Sequence, residues 1–325
     1  MHVALLGAGM MGQTHAHAYK TIPKVKVAWV FDKDAERAQR LAAMLDARPT
    51  TRFDDVLEDG NVQAVDICLP TDLHRAFTEK AAAAGKHVFC EKPIALTVED
   101  AEAMVEACEK ANVTLMVGHV VRFFADYQAA RRLVESGAIG EPKVIRASRT
   151  GAFPKWGSDN WFADESRSGG PIVDLAIHDI DWIRWTFGDV VRVYAKRTDR
   201  YALVTLRLTS GAICHVEASW AHPDGTPFTT KLEIAGTKGL YTTDNQSIIP
   251  LAIRRTVDGR HVYQPENPQP RDPYALELEH FFECLEKGTE PLTHGREAAK
   301  TLAICLAANE SAKTGQVVTL GGASS

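Results

Sequence analysis

The chain has 325 residues, about twice the usual length of one domain, so two domains are expected. Hydrophobic residues make up 45% and charged residues 24%, which excludes a disordered or low-complexity chain. A formal charge of -5 gives no general attraction for nucleic acid or an acidic membrane, and neither is expected as a partner.

The 6 cysteines include no C-x-x-C pair, and most sit in apolar runs such as Asp66-Ile67-Cys68-Leu69. A disulfide framework or a cysteine-based zinc site is therefore not expected. No apolar run approaches the roughly 20 residues needed to span a bilayer. The N-terminus lacks the cationic start and long apolar stretch of a signal peptide. The sequence thus reads as a reduced, cytoplasmic protein.

In chain order, strand-like runs at His2–Leu6, Val25–Phe31, Ala64–Leu69, His87–Cys90 and Val113–Val117 alternate with amphipathic, alanine-rich stretches. These stretches are His15–Thr21, Ala35–Leu45, Leu73–Ala84 and Val98–Ala111. Strand and helix alternating at this pitch predict βαβ units around a mostly parallel, doubly wound sheet, an α/β Rossmann domain over residues 1–121. A helix at Asp126–Glu135 follows, then an irregular stretch from Gly151 to Gly170 and a helix over about Ile172–Thr186. Strand-like segments then come at Val190–Lys196, Ala202–Leu208, Ala212–Trp220, Thr229–Ala235 and Leu240–Thr243. With no helix between them they predict an antiparallel sheet. Helices near Tyr274–Glu286 and Gly295–Lys313 close the chain. Residues 122–325 are therefore expected to form an α+β domain with a large, mostly antiparallel open sheet. Which domain the closing helix packs on is left open.

The clearest chemical signal is Gly7-Ala-Gly9-Met10-Met11-Gly12, placed between the first strand and a helix. Gly7 permits the tight turn, Gly9 lets backbone approach a pyrophosphate, and Gly12 lets the helix pack near the strand. The helix N-terminus offers unpaired N–H groups to phosphate. Asp32 closes the second strand 20 residues after Gly12, as a ribose-binding acid should. A carboxylate there accepts the ribose hydroxyls and repels a 2′-phosphate, so NAD(H) is expected over NADP(H), with Lys33 able to soften that repulsion.

Further segments sit at strand ends: Cys68-Leu-Pro70-Thr71-Asp-Leu-His74, Glu91-Lys92-Pro93, Gly118-His119, and Gly169-Gly170-Pro-Ile-Val-Asp174-Leu-Ala-Ile-His178-Asp-Ile-Asp181. In this order they resemble the glucose–fructose oxidoreductase and inositol dehydrogenase family (Gfo/Idh/MocA) over essentially the whole chain. The resemblance implies a Rossmann domain followed by an α+β domain whose open sheet often forms oligomer contacts, hence a homodimer or homotetramer. It implies a catalytic lysine at Lys92 and a catalytic pair at Asp174 and His178. Chemically, a lysine at a strand's end can stabilise negative charge developing on a substrate oxygen. An imidazole can accept the alcohol proton, and a neighbouring carboxylate can anchor substrate or tune the imidazole.

Spaced four apart on one predicted helix, Asp174 and His178 should share a face, with Asp181 continuing the stripe. A surface ion pair and metal chelation are the alternatives, but no third metal ligand is evident and no metal is expected. Glu91 is read as a neighbour of the cofactor that orients the lysine or its loop. Pro70, Thr71 and His74 are read as lining the cofactor site, where His15 is either a cofactor neighbour or structural. His119, Arg122, Trp156, Asn160 and Trp161 are candidate substrate contacts. The resemblance implies an NAD-dependent dehydrogenase acting on a secondary alcohol of a cyclic polyol or sugar. An NAD-dependent glycoside hydrolase and a non-catalytic NAD-binding regulator are the alternatives.

Overall fold

The computed structural model describes residues 1–155, 158–247, 251–257, 260–266 and 271–321. By internal contacts the chain divides into two units: residues 1–120, 155–168 and 271–302, and residues 121–154, 169–270 and 303–325.

The first unit is built as β1 (His2–Leu6), α1 (Met10–Tyr19), β2 (Lys26–Phe31), α2 (Ala35–Leu45), β3 (Arg48–Thr50), α3 (Phe53–Glu58), β4 (Ala64–Ile67), α4 (His74–Ala83), β5 (His87–Glu91), α5 (Val98–Lys110) and β6 (Leu115–Gly118). The strands form one parallel sheet in the order β3-β2-β1-β4-β5-β6. That order reverses beside β1, the switch point outside which ligands bind in doubly wound sheets. Strands buried on both faces read as continuous apolar runs: Val3–Leu6 and Ala64–Ile67 are 0% exposed, Asp66 included. Helix starts follow the capping residues, with Asp34 accepting from two backbone N–H groups of α2 and Thr97 from one of α5.

The second unit begins with α6 (Ala125–Glu135) and β7 (Pro142–Ala152). A short helix, α7 (Glu165–Ser168), belongs by its contacts to the first unit. A π-helical turn over Ile172–Ala176 then runs into α8 (Ile177–Phe187). The remaining strands are β8 (Val190–Arg197), β9 (Tyr201–Leu208), β10 (Ile213–His222), β11 (Thr229–Gly236), β12 (Gly239–Asp244), β13 (Leu251–Val257) and β14 (Arg260–Glu266). After α9 (Pro273–Lys287) and α10 (Gly295–Thr314) comes the short β15 (Val318–Thr319). Residues 295–302 of α10 cluster with the first unit and the remainder of the helix with the second.

Among the described residues, the second unit's sheet has nine strands in the order β14-β13-β12-β11-β7-β10-β9-β8-β15. The antiparallel expectation holds for every described pair except β7 with β10, which is parallel. Those two strands are joined by no hairpin, and the long intervening chain lets them run in the same direction. Alternate residues, among them Val193, Val204, Leu206, Val216 and Ile234, are buried, and the central strands β7 and β10 pack on the π-turn, β10 also on α8. Trp182 of α8 is 0% exposed and meets the Tyr127 ring edge-on, 5.3 Å between centroids.

Candidate active site

The glycine loop is shaped by contacts that only glycine allows. Gly7 has φ +105°, and a Cβ there would lie 2.5 Å from the Cys68 carbonyl oxygen. A Cβ on Gly12 would lie 1.8 Å from the Gly7 carbonyl oxygen. A Cβ on Gly9 meets nothing within 4 Å, so the backbone is open where a pyrophosphate would approach. Gly9 caps α1 without a side-chain hydrogen bond, and the first turn carries no acid that would compete for the helix N-terminus. A cleft of about 520 Å³ is lined here by Gly9, Met10, Gln13, Arg37 and Arg40, and Met10 is 42% exposed. Met11 is half-buried in the same first turn.

Asp32 stands beside this loop. Its Oδ2 accepts the Ala8 N–H at 2.7 Å and its Oδ1 the Asp34 N–H at 2.9 Å. The carboxylate is thus fixed against the phosphate loop, and its remaining lone pairs suit the two hydroxyls of a ribose. These residues fit a dinucleotide, with NAD favoured by the acid.

At the carboxyl end of β4, Pro70 leads into a short turn over Thr71–Leu73, in which Thr71 is buried. His74 was expected to contact the cofactor. It is instead 1% exposed, with Nδ1 2.9 Å from the Pro93 carbonyl oxygen and Nε2 2.9 Å from that of Leu69. Both ring nitrogens are committed to backbone, so the imidazole braces the loop after β4 against the loop after β5. Burial pulls its pKa down while the two carbonyls pull it up, leaving it below the usual histidine value.

Glu91, expected beside the cofactor and orienting the lysine, is also enclosed, 5% exposed. Its Oε1 lies 3.1 Å from His15 Nε2, and its Oε2 accepts the Lys92 N–H at 3.1 Å. Burial raises its pKa, but His15 and Lys92 outweigh that and hold it below the usual carboxylate range. Lys92 follows, half-buried, at the carboxyl edge that carries the glycine loop, with a cis peptide bond to Pro93. His119, just beyond β6, is 1% exposed.

The loop after β7 carries three of the candidate substrate contacts. Trp156 lies outside the described residues. Asn160 is exposed at φ 50°, and Trp161 stacks on Phe162 with centroids 4.0 Å apart. Arg167 of α7 ties the segment to the turn after β4 through Asp72, Nε to Oδ2 at 3.1 Å.

In the second unit Asp174 lies in the π-turn, 6% exposed, and His178 is half-buried in the first turn of α8. The regular α-helix expected across Asp174 and His178 opens instead with a π-turn, which carries Asp174, while His178 falls in the α-helical turn that follows. Such π-turns recur at functional sites. Asp181 leaves the stripe altogether, forming a two-point ion pair with Arg122 at 2.7 and 2.6 Å. Arg122, expected as a substrate contact, is 1% exposed and spent on this pair. Asp179, set aside in the sequence, is equally internal: Arg149 Nε donates to it at 2.8 Å and Tyr127 Oη at 3.2 Å.

Sequence reasoning missed Asp66 and Arg149. The signal for Asp66 was an acid inside an otherwise apolar strand; Arg149 carried none, since its partner lies 30 residues away.

The sheet order, the open glycine loop and the ribose acid define a dinucleotide-binding oxidoreductase. Residues 1–119 match the pattern described as "Oxidoreductase family, NAD-binding Rossmann fold", and residues 127–242 match "GFO/IDH/MocA C-terminal domain". The chain belongs to the Gfo/Idh/MocA family. It is 31% identical to the D-apiose dehydrogenase of Paraburkholderia graminis over 98% of this chain and 89% of that protein. Identity is 30% to the myo-inositol 2-dehydrogenase of Thermotoga maritima, over 96% of each. An Escherichia coli 2,7-anhydro-N-acetylneuraminate hydratase is also 30% identical, over 76% of this chain and 68% of that protein. Among solved structures, an Agrobacterium radiobacter oxidoreductase in complex with NAD+, L-tartaric acid and magnesium superposes with a TM-score of 0.85. It is 29% identical and covers 98% of both chains. Among the described residues, no helix is long and apolar enough to cross a membrane.

Proposed function

We propose that the protein is an NAD-dependent dehydrogenase that oxidises a secondary alcohol of a cyclic polyol or sugar. The observation that carries this reading is Lys92 on the same carboxyl sheet edge as the open glycine loop. Gly7, Gly9, Met10, Met11, Gly12 and Asp32 hold the cofactor, with Pro70 and Thr71 beside them. Bound NAD supplies the hydride acceptor.

Lys92 donates a hydrogen bond to the reacting hydroxyl and stabilises the negative charge that grows as its proton leaves. His178 takes that proton through a ring nitrogen, and Asp174 orients the hydroxyl or the imidazole. Asn160 and Trp161 form a wall for the sugar ring, and His119 is a further substrate contact. The relatives named for apiose and inositol oxidation support the substrate class.

The exposed face of the nine-stranded sheet carries Tyr194, Leu203 and Ile213, each at least 36% exposed, and is read as the contact of a homodimer or homotetramer. A cytoplasmic location accords with the unpaired cysteines, all of them free thiols.

The test is a panel of myo-inositol, scyllo-inositol, D-apiose, D-glucose and their acids with NAD+, reading NADH absorbance. Net NADH from at least one supports the dehydrogenase. The hydratase relative favours a second reading, redox-neutral use of bound NAD. Product formed without net NADH would replace the first reading by that one.

A further inference from the structure

Beneath the glycine loop, in the first unit, lies a closed cluster of ionisable groups that the proposed chemistry does not use. His15 of α1 is 0% exposed. Its Nδ1 stands 2.8 Å from Asp66 Oδ2, and its Nε2 3.1 Å from Glu91 Oε1. Tyr19 donates its hydroxyl to the same Asp66 oxygen at 2.9 Å. The Cys68 thiol is 3.3 Å from His15 Nδ1. The Phe89 and Tyr274 rings pack on the imidazole, 5.6 and 6.0 Å between centroids.

A carboxylate offers only acceptors, so each ring nitrogen that faces one must carry a hydrogen. Two carboxylates facing the two nitrogens therefore call for the imidazolium. Isolated buried carboxylates would be costly, and a cation between them offsets that cost. The titratable groups around the ring are Tyr19 on its own helix, Asp66 and Cys68 at β4, Cys90, Glu91 and Lys92 at β5, and Tyr274 on α9. Burial pushes the Tyr19 hydroxyl and the Cys68 and Cys90 thiols well up, so all three stay neutral near pH 7.

Glu91 joins this cluster to the surface, because its second oxygen accepts the Lys92 N–H. We propose that His15 is a positioning residue for the reaction: held as an imidazolium between Asp66 and Glu91, it fixes the Glu91 carboxylate beneath the Lys92 amide and so sets the lysine's place. The proposal rests on the reading of Lys92 as catalytic.

The test has two arms. In the parent protein, NMR of isotope-labelled histidine should find, among the 12 imidazoles, one that keeps both ring nitrogens protonated well above the usual histidine range. If every imidazole titrates between about pH 5 and 7.5, the proposal is wrong, whatever any variant does. The second arm compares His15→Gln, which keeps a donor toward Glu91, with His15→Asn, which keeps one toward Asp66. With the panel substrate that turns over fastest, His15→Asn should lose roughly ten- to a hundredfold in kcat and His15→Gln about threefold or less. KM for NAD+ should stay within about threefold in both. Equal losses, or an undiminished kcat in His15→Asn, overturn the proposal. Lys92→Ala run alongside separates the two readings. If Lys92→Ala is inactive while His15→Asn is not, only the positioning role fails. If Lys92→Ala keeps full kcat, the catalytic reading fails and takes this one with it.

Discussion

Arg122 lays its guanidinium across Asp181 in a two-point ion pair, with each side chain 1% exposed. The pair joins a turn after β6 to the middle of α8, 59 positions apart in the chain, inside the second unit. Arg122→Ala would strand a buried carboxylate, at an expected cost of about 3–5 kcal/mol. Arg122→Lys keeps the charge but not the fork and should cost less. Thermal melts check this. An unchanged Tm with a raised substrate KM would return Arg122 to the substrate site.

Cofactor choice follows from Asp32 and its surroundings. The unmodified enzyme should prefer NAD+ over NADP+ by at least an order of magnitude in kcat/KM, about 1.4 kcal/mol. Arg37 and Arg40 line the cleft at Gly9 and Met10, so Asp32→Ser should lose NAD+ affinity and narrow or reverse the preference. Steady-state kinetics with both cofactors measure it; equal use of NADP+ by the parent would mean that these cations override the carboxylate.

The buried cluster makes a stability prediction with a definite sign. Burial is the largest single influence and lowers the His15 pKa, but the charge and hydrogen bond of Asp66, together with Cys68, outweigh it and leave the value well above that of a free histidine. Its contribution is therefore complete below about pH 6.5, the unfolded value, and is lost as pH rises through the folded value. Glu91, depressed by its partners, acts oppositely: its contribution is present above about pH 4.3 and fades as pH falls through the folded value. Urea midpoints of the parent should fall between about pH 7 and pH 10 more steeply than those of His15→Gln. Parallel curves would remove the imidazolium.

Lys92→Ala should lower kcat by about two to four decades and leave NAD+ affinity almost unchanged. Titration of the folded variant with NAD+ decides between substrate and cofactor roles. Abolished binding would move Lys92 to the cofactor site.

Local chemistry made the first unit legible. Gly7, Gly9, Gly12 and Asp32 act within one βαβ unit, where spacing and place in the fold coincide. β3 escaped notice because it is three residues long with Pro49 at its centre, tolerable only at the sheet edge it occupies. β7 escaped because Arg149 breaks its apolar alternation at an inward position, turned to Asp179. Spacing placed Asp181 in one stripe with Asp174 and His178, yet its carboxylate is held by Arg122. Periodicity cannot announce a π-turn, and it cannot tell a carboxylate facing substrate from one claimed by an arginine far away in sequence. The partners of the inward Glu91 and His74, which are His15 and two backbone carbonyls, were illegible for the same reason: they are set by tertiary contact.

The central claim is that His178 takes the proton of the alcohol, and its most direct test is the pH profile of kcat/KM for His178→Asn against the parent at saturating NAD+. Oxidation needs the neutral imidazole, so the parent's kcat/KM should rise with pH through one ionisation on the acidic side. Asparagine keeps polarity and approximate size but cannot take the proton. The variant should lose about two to four decades in rate, and the acidic limb should vanish with them. A variant that keeps the parent's acidic limb would contradict the account and make another group, Lys92 first, the base.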